Sequence, residues 1–235
     1  EYNTAVGAYS LESNRGDFNT AIGAGAIGYD NNYGGFNVAV GQNTLRKNTT
    51  GNSNTANGSY ALFNNTTGSR NTAAGDSTLI SNTTGYNNSA IGYKAGYANA
   101  TGNYNVFLGY KAGYHETGSN KLFIDNQQRA NETDARSKSL IYGVFNEDPW
   151  NQVVALNARV GIGTSNPGTR LSIVGLTSSA VGSALIISGN NVYIQSSIRS
   201  LKDNIQPLND DFDKILDASP VSFTDKATGM PGIGY

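Results

Sequence analysis

Six tyrosines, Tyr86, Tyr93, Tyr97, Tyr104, Tyr110 and Tyr114, crowd one stretch near the middle of this chain. Aromatic rings with polar tips suit contact with sugars or partner proteins, and they pack equally well on a sheet surface. These six are the candidate ligand surface. Little else has the type and spacing for chemistry. His115 is the only histidine, so a His-based catalytic or metal cluster would need several copies of the chain, and a surface turn is the simpler place for it. The acids of the first half, Glu12, Asp17, Asp30, Asp76 and Glu116, are scattered, whereas glycoside hydrolysis wants two carboxylates across a groove. Asp210, Asp211 and Asp213 fall early in a predicted helix, where acids favour the dipole, rather than in a calcium loop. Gly161 and Gly163 suggest a dinucleotide loop, but the third glycine is missing and Pro167-Gly168 blocks the helix that must follow. No cofactor and no metal site is expected.

Composition narrows the classes further. Charged residues make up 14% of the 235, against roughly 25% in ordinary globular domains. The net charge of −1 gives no electrostatic case for nucleic acid. No apolar run approaches the roughly 20 residues of a membrane span, so membrane insertion is not expected. Without cysteine, an extracellular form has no disulfide staples and must be stabilised by assembly. No signal peptide is apparent, and Glu1 opens almost directly on a repeat, which reads as part of something longer.

The elements that must position the tyrosines repeat. A motif of the form Asn-Thr-Ala-Val-Gly starts at Asn3, Asn19, Asn37, Asn54, Asn71, Asn88 and Asn105. Two further marks keep the same beat: Leu11, Ile27, Leu45, Leu62, Leu79, Gly96 and Gly113, and a turn glycine from Gly16 and Gly34 to Gly118. A fixed short period means a solenoid whose units bury their apolar sides against one another. Two segments separated by Gly and by an Asn-Thr-Thr-Gly corner predict two short strands and two turns per coil of about 17 residues. The recurrent Ala (Ala5 to Ala90) is small until Phe107, which places it on a crowded face, inside the roll or against a partner chain. Asn57, at the position after it, would be costly in a dry core. The opening Asn residues are expected to stack as a ladder. Asn-X-Thr/Ser sequons at Asn48, Asn64, Asn65, Asn82, Asn87, Asn99 and Asn131 read as turn chemistry before they read as glycan sites.

A roll with about two large apolar residues per coil has little to set against an ordering cost of about 1–2 kcal/mol per residue. Three chains sharing a core is the expected remedy. The repeat resembles the head repeat of trimeric autotransporter adhesins, which carries a similar Asn-Ser-Val-Ala-Ile-Gly motif. That resemblance covers roughly residues 1–125 and implies a trimer of left-handed parallel β-rolls.

After Asn126 the beat stops. Gln127 to Lys138 is polar and reads as a connector; Leu140 to Phe145 and Val153 to Leu156 read as strands around the Pro149-Trp150 turn. Val160-Gly161-Ile162-Gly163-Thr164, with Pro167 and Leu171-Ser172-Ile173-Val174, resembles a module of phage tail fibres and implies a trimeric β-prism or stalk. Leu185 to Ile187 and Val192 to Gln195 add short strands, and Pro207 to Ala218 predicts a helix with Leu208, Phe212, Ile215 and Leu216 on one side.

Lys202-Asp203-Asn204-Ile205, the helix, Pro220-Val221-Ser222-Phe223 and Gly232-Ile233-Gly234-Tyr235 together resemble the start of the intramolecular chaperone domain of phage tailspikes and tail fibres, here truncated. The resemblance implies self-cleavage between Ser196 and Ser197, with Ser197 as nucleophile and Lys202 as its base. Such a base needs a lysine whose pKa is lowered by burial. An uncut junction is the competing expectation.

The sequence therefore predicts an all-β, homotrimeric parallel β-roll or β-helix solenoid, with a β-prism-like neck and a short C-terminal helix. The divisions are a repeat shaft at 1–125, a connector at 126–150, a β-stranded neck at 151–196 and a chaperone start at 197–235. The expected function is a structural virion fibre for extension and host-surface attachment, binding a glycan or protein receptor, located on the virion surface. The alternative is a secreted or cell-surface bacterial adhesin or matrix fibre. No substrate-directed enzyme activity is expected.

Overall fold

A computed structural model of the chain describes residues 2–28, 33–162 and 164–173, and beyond them the backbone of 184–188, 191–195, 221–224 and 231–234. The chain divides into two compact units, residues 1–160 with 167–171, and residues 161–166 with 172–235.

The first unit is a β-solenoid. Each coil contributes one three-residue strand from its Asn-Thr-Ala-Val motif: β1 (Thr4–Val6), β2 (Thr20–Ile22), β3 (Val38–Val40), β4 (Thr55–Asn57), β5 (Thr72–Ala74), β6 (Ser89–Ile91) and β7 (Val106–Leu108). They pair in parallel and in sequence order, and β8 (Lys121–Ile124) continues the ladder. The register matches repeat to repeat, with Ala21 on Ala39, Ala39 on Ala56 and Ala56 on Ala73. Successive side chains on a strand point to opposite faces. The Ala therefore turns inward and is fully buried from Ala21 to Ala90, while Ile22, Ile91 and Leu108 face out. Asn57 also lies on the outward face, which removes the desolvation cost a dry core would impose.

The second strand expected in each coil is not formed. In its place runs a turn with left-handed backbone at alternate residues: Tyr60 has φ 57° and Leu62 has φ 52°, and every described coil repeats the pattern. This conformation is unfavourable for side chains with a Cβ. It persists because it aims successive peptides along the stack. Tyr60 donates its N–H to the coil before, at Gln42 O (2.9 Å), and Leu62 donates to the coil after, at Thr78 O (3.0 Å). Ile27, Leu45, Leu62 and Leu79 are thereby fully buried, and Leu11 at the first coil partly so. The glycine after each strand is required both by its φ and by space: at Gly58, φ is 139° and a Cβ would stand 2.3 Å from Gly75 O.

Two polar ladders run inside. Asn19, Asn37, Asn54 and Asn71 each accept from the next coil's Asn twice, whereas Asn3 and Asn88 accept its backbone N–H alone. Asn71 Oδ1 receives the Asn88 backbone N–H at 3.0 Å and its Nδ2 at 3.1 Å, while Asn71 Nδ2 donates to Gly85 O at 2.8 Å. The corner Asn form the second ladder, Asn65 to Asn48 and Asn82 to Asn65, each at 2.8 Å. Satisfying buried amides this way makes a polar interior tolerable; the corner ladder stops at Asn82, whose buried Oδ1 has no partner among the described residues. Four sequon asparagines, Asn48, Asn65, Asn82 and Asn99, are fully buried, and Asn131 caps a helix. Turn and ladder chemistry accounts for all five.

The C-terminal end of the solenoid is closed. Its Ala column gives way to Phe107, Phe123 and Tyr142, with ring centroids 6.0 and 5.1 Å apart. Space for Phe107 comes from the Leu column: a Cβ on Gly96 or Gly113 would lie 2.6 or 2.2 Å from its ring. The polar run read as a connector carries a helix, α1 (Glu132–Lys138), capped by Asn131. Next, β9 (Ile141–Val144) and β10 (Val153–Leu156) extend the same sheet antiparallel, around a 3-10 turn at Pro149–Asn151.

Two short strands follow, β11 (Val160–Ile162) and β12 (Leu171–Ile173). The second unit contains two antiparallel hairpins, β13 (Ala184–Ser188) with β14 (Asn191–Gln195), and β15 (Val221–Thr224) with β16 (Pro231–Gly234). The predicted helix from Pro207 to Ala218 lies outside the described residues.

Candidate functional site

The six candidate tyrosines do not form one surface. Tyr93 and Tyr110 follow the glycine after their strands, and Tyr97 and Tyr114 close the same turn four residues later. One coil step brings like onto like. Tyr93 stacks on Tyr110 (centroids 5.6 Å, interplanar angle 16°) and Tyr97 on Tyr114 (4.7 Å, 8°). Ring faces thus lie against one another between coils, leaving edges and hydroxyls toward solvent.

Between the two columns stand lysines that the sequence reading passed over. Lys94 Nζ lies 5.1 Å from the Tyr93 centroid and 5.5 Å from that of Tyr97. Lys111 Nζ lies 5.2 and 5.6 Å from Tyr110 and Tyr114. Such placements are cation–π contacts. A hydrogen bond with Tyr93 holds the Lys94 ammonium above its ordinary pKa, against the opposing effect of burial. Lys111 also donates to Gln128. Among the described residues, neither lysine has a carboxylate within ion-pairing distance. The signal was present in the sequence as Gly-Tyr-Lys-Ala-Gly-Tyr, written identically at 92–97 and 109–114.

Tyr86 and Tyr104 form a separate edge-to-face pair at 5.3 Å, on the corner that leads into the next strand. A side-chain hydrogen bond with Tyr104, which favours the neutral phenol, raises the Tyr86 pKa. Tyr104 lines an open groove of about 840 Å³ with Asn87, Val106, Asn120, Phe145 and Glu147.

The remaining chemistry is structural. His115 Nε2 lies 3.1 Å from Arg129 O, and its ring packs edge-on against Tyr114. Glu116 takes the position that the corner Asn holds in earlier coils and is fully buried. Its carboxylate accepts from Gly118 N (2.8 Å) and from Arg136 Nε and Nη2 of α1 (2.9 and 2.8 Å). Burial pushes the Glu116 carboxyl up, but the Arg136 guanidinium, the Gly118 N–H and a hydrogen bond with Glu132 outweigh it and hold the pKa below the usual value. Glu132 meets the same guanidinium. This cluster is a clamp at the end of a ladder and lines no groove described here. No grouping of three potential metal-ligating His, Asp or Glu side chains occurs among the described residues, and no described helix is long and apolar enough to cross a membrane. Ser196, Ser197 and Lys202 lie outside the described residues. No family model, curated protein or solved structure matches the chain.

Proposed function

We propose that this chain forms the shaft of a trimeric surface fibre, extending from a virion and attaching to a host. One observation carries the reading: the chemistry of the solenoid is arranged as rows that repeat coil by coil along its length, with aromatic and apolar rows outside and amide ladders inside. Such an array supplies length and a repeating contact surface, not a pocket that gathers catalytic groups. The outward sheet face, bearing Val6, Ile22, Val38, Ile91 and Leu108, is the surface we assign to packing between chains. Water-exposed apolar rows of this kind are stabilised by burial at about 25 cal/mol per Å². The tyrosine rows on the corners are assigned to the receptor, a glycan or a protein.

Light scattering on the purified chain tests the assembly, with a stable trimer expected; a folded monomer at all concentrations overturns it. Proteomics and micrographs of the source particles test the location. Recovery from virions supports the viral fibre, whereas recovery from a bacterial surface replaces it with a cellular adhesin or matrix fibre.

A further inference from the structure

The turn carrying Tyr93, Lys94 and Tyr97 is repeated one coil later as Tyr110, Lys111 and Tyr114. In a chain so poor in charge, two adjacent cations have no carboxylate partner among the described residues, Lys111 donating only to the neutral Gln128 amide. Desolvation by flanking rings costs an ammonium hydration, and cation–π contact returns only about 0.5–1 kcal/mol at an exposed site. We propose that this double rung binds a linear anionic polysaccharide, with one carboxylate or sulfate on each lysine and sugar hydroxyls on the tyrosine hydroxyls at either side.

Three features choose this ligand class. First, the two ammonium groups are related by one coil, a parallel-strand spacing of about 4.8 Å, which favours a polymer bearing an anion in each repeat over a compact ion. Second, the rings are closed to intercalation. Parallel stacking at 4.7 and 5.6 Å between coils leaves no ring face between the rungs for a base, so successive bases of a single strand cannot interleave with successive rungs. Third, Tyr93 and Tyr110 remain 41% and 42% exposed, so their edges and hydroxyls stay available beside each charge. A neutral glycan would leave both cations uncompensated, and the groove beside Tyr104, lined by amides and Glu147 with no cation among its lining residues, lacks the charge for an anion. This inference deepens the attachment reading and rests on it.

Native electrophoresis of the purified chain through gels containing polygalacturonate, dextran sulfate or uncharged dextran tests it, with oligothymidylate titrated separately. Retardation by polygalacturonate or dextran sulfate but not by dextran is expected, and whichever of the two retards more identifies the anionic group. Binding should weaken as salt is raised. The double variant Lys94→Gln/Lys111→Gln should lose affinity by about tenfold or more, on the scale of a lost pair of charge-assisted bonds, while keeping its circular dichroism and a cooperative melt. Tyr97→Phe/Tyr114→Phe, which keeps the rings and both charges, should lose less. Equal retardation by neutral dextran, undiminished binding by the double lysine variant, or tighter binding of oligothymidylate overturns the inference. A trimeric fibre that ignores all three polysaccharides would sink this inference while leaving the fibre intact.

Discussion

Phe107 shows how a repeat is brought to an end by side-chain volume. In earlier coils a small Ala faces a Leu; at the last coils the Ala becomes Phe and the Leu becomes Gly96 and Gly113. Backbone does not require those glycines, because Leu62 and Leu79 adopt the same left-handed φ at the equivalent position. Space does. Phe107→Ala should therefore destabilise the chain by about 3–5 kcal/mol, as large aromatic truncations do, measured from denaturant midpoints. Gly113→Leu alone should also destabilise by overpacking. The double variant Phe107→Ala/Gly113→Leu restores the pattern of the earlier coils and should recover part of the loss; strict additivity would refute the exchange of volume. Glu116 makes a second prediction. Its folded pKa is depressed, so its contribution is present above the unfolded value near 4.5 and is lost as pH falls through the folded value. Wild type should lose thermal stability on acidification below that range, and Glu116→Gln should lose less, as read from melting curves against pH.

At the scale of the element, each coil depends only on its neighbours. Deleting Asn71 to Asn87 removes one whole coil and lets Asn88 donate to Asn54 in place of Asn71. Circular dichroism should keep its shape and melting should remain cooperative, with a modestly lower midpoint, as nearest-neighbour stability predicts. Deleting Asn71 to Leu79, about half a coil, puts both ladders out of phase and should abolish the cooperative transition. The coil length, the inward Ala and the Asn ladder were legible in the sequence because stacking forces identical residues to superpose. The missing second strand was not. Its Leu and Thr residues have ordinary strand character, and only the inter-coil bonds of residues such as Tyr60 and Leu62 reveal why the backbone turns left-handed there. Helix α1 was also hidden. It is seven residues long with Ala135 as its buried residue, too short and polar for a periodic signal, and it is anchored by Arg136 reaching Glu116 twenty residues back. Of the candidate site, the tyrosines were visible as types, but their division into two places and the lysines between four of them depend on which residues one coil step superposes.

At the scale of the whole molecule, the junction before the C-terminal segment makes the remaining prediction. If the Ser197 and Lys202 pair is active, a denaturing gel of the wild-type chain should show cleavage between Ser196 and Ser197, with Ser197→Ala and Lys202→Ala each leaving one uncut band. A single uncut wild-type band excludes the activity and leaves a permanently joined C-terminal segment. In the proposed trimer such a segment would align the chains, since displacement by one coil would nearly preserve the contacts of a repeating face.

The amide ladders bear on that alignment in another way. Backbone bonds between coils run in both directions along the axis, Thr20 N–H to the later Asn37 and Gly23 N–H to the earlier Val6, so their dipoles largely cancel. The side-chain amides of Asn37, Asn54, Asn71 and Asn88 each send one Nδ2–H back to the earlier coil's Asn Oδ1 and the other on to the glycine carbonyl 14 residues later, while Asn65 and Asn82 also donate back to the earlier corner Asn. Aligned amides add as they do along a helix. The Oδ1 atoms of the opening-Asn column all face the later coil, and the column ends where Asn105 Oδ1 accepts the Lys121 N–H. In the proposed three-chain bundle, with every such column pointing the same way, the like-oriented amides would oppose lateral packing, and burial of the apolar faces would have to offset them.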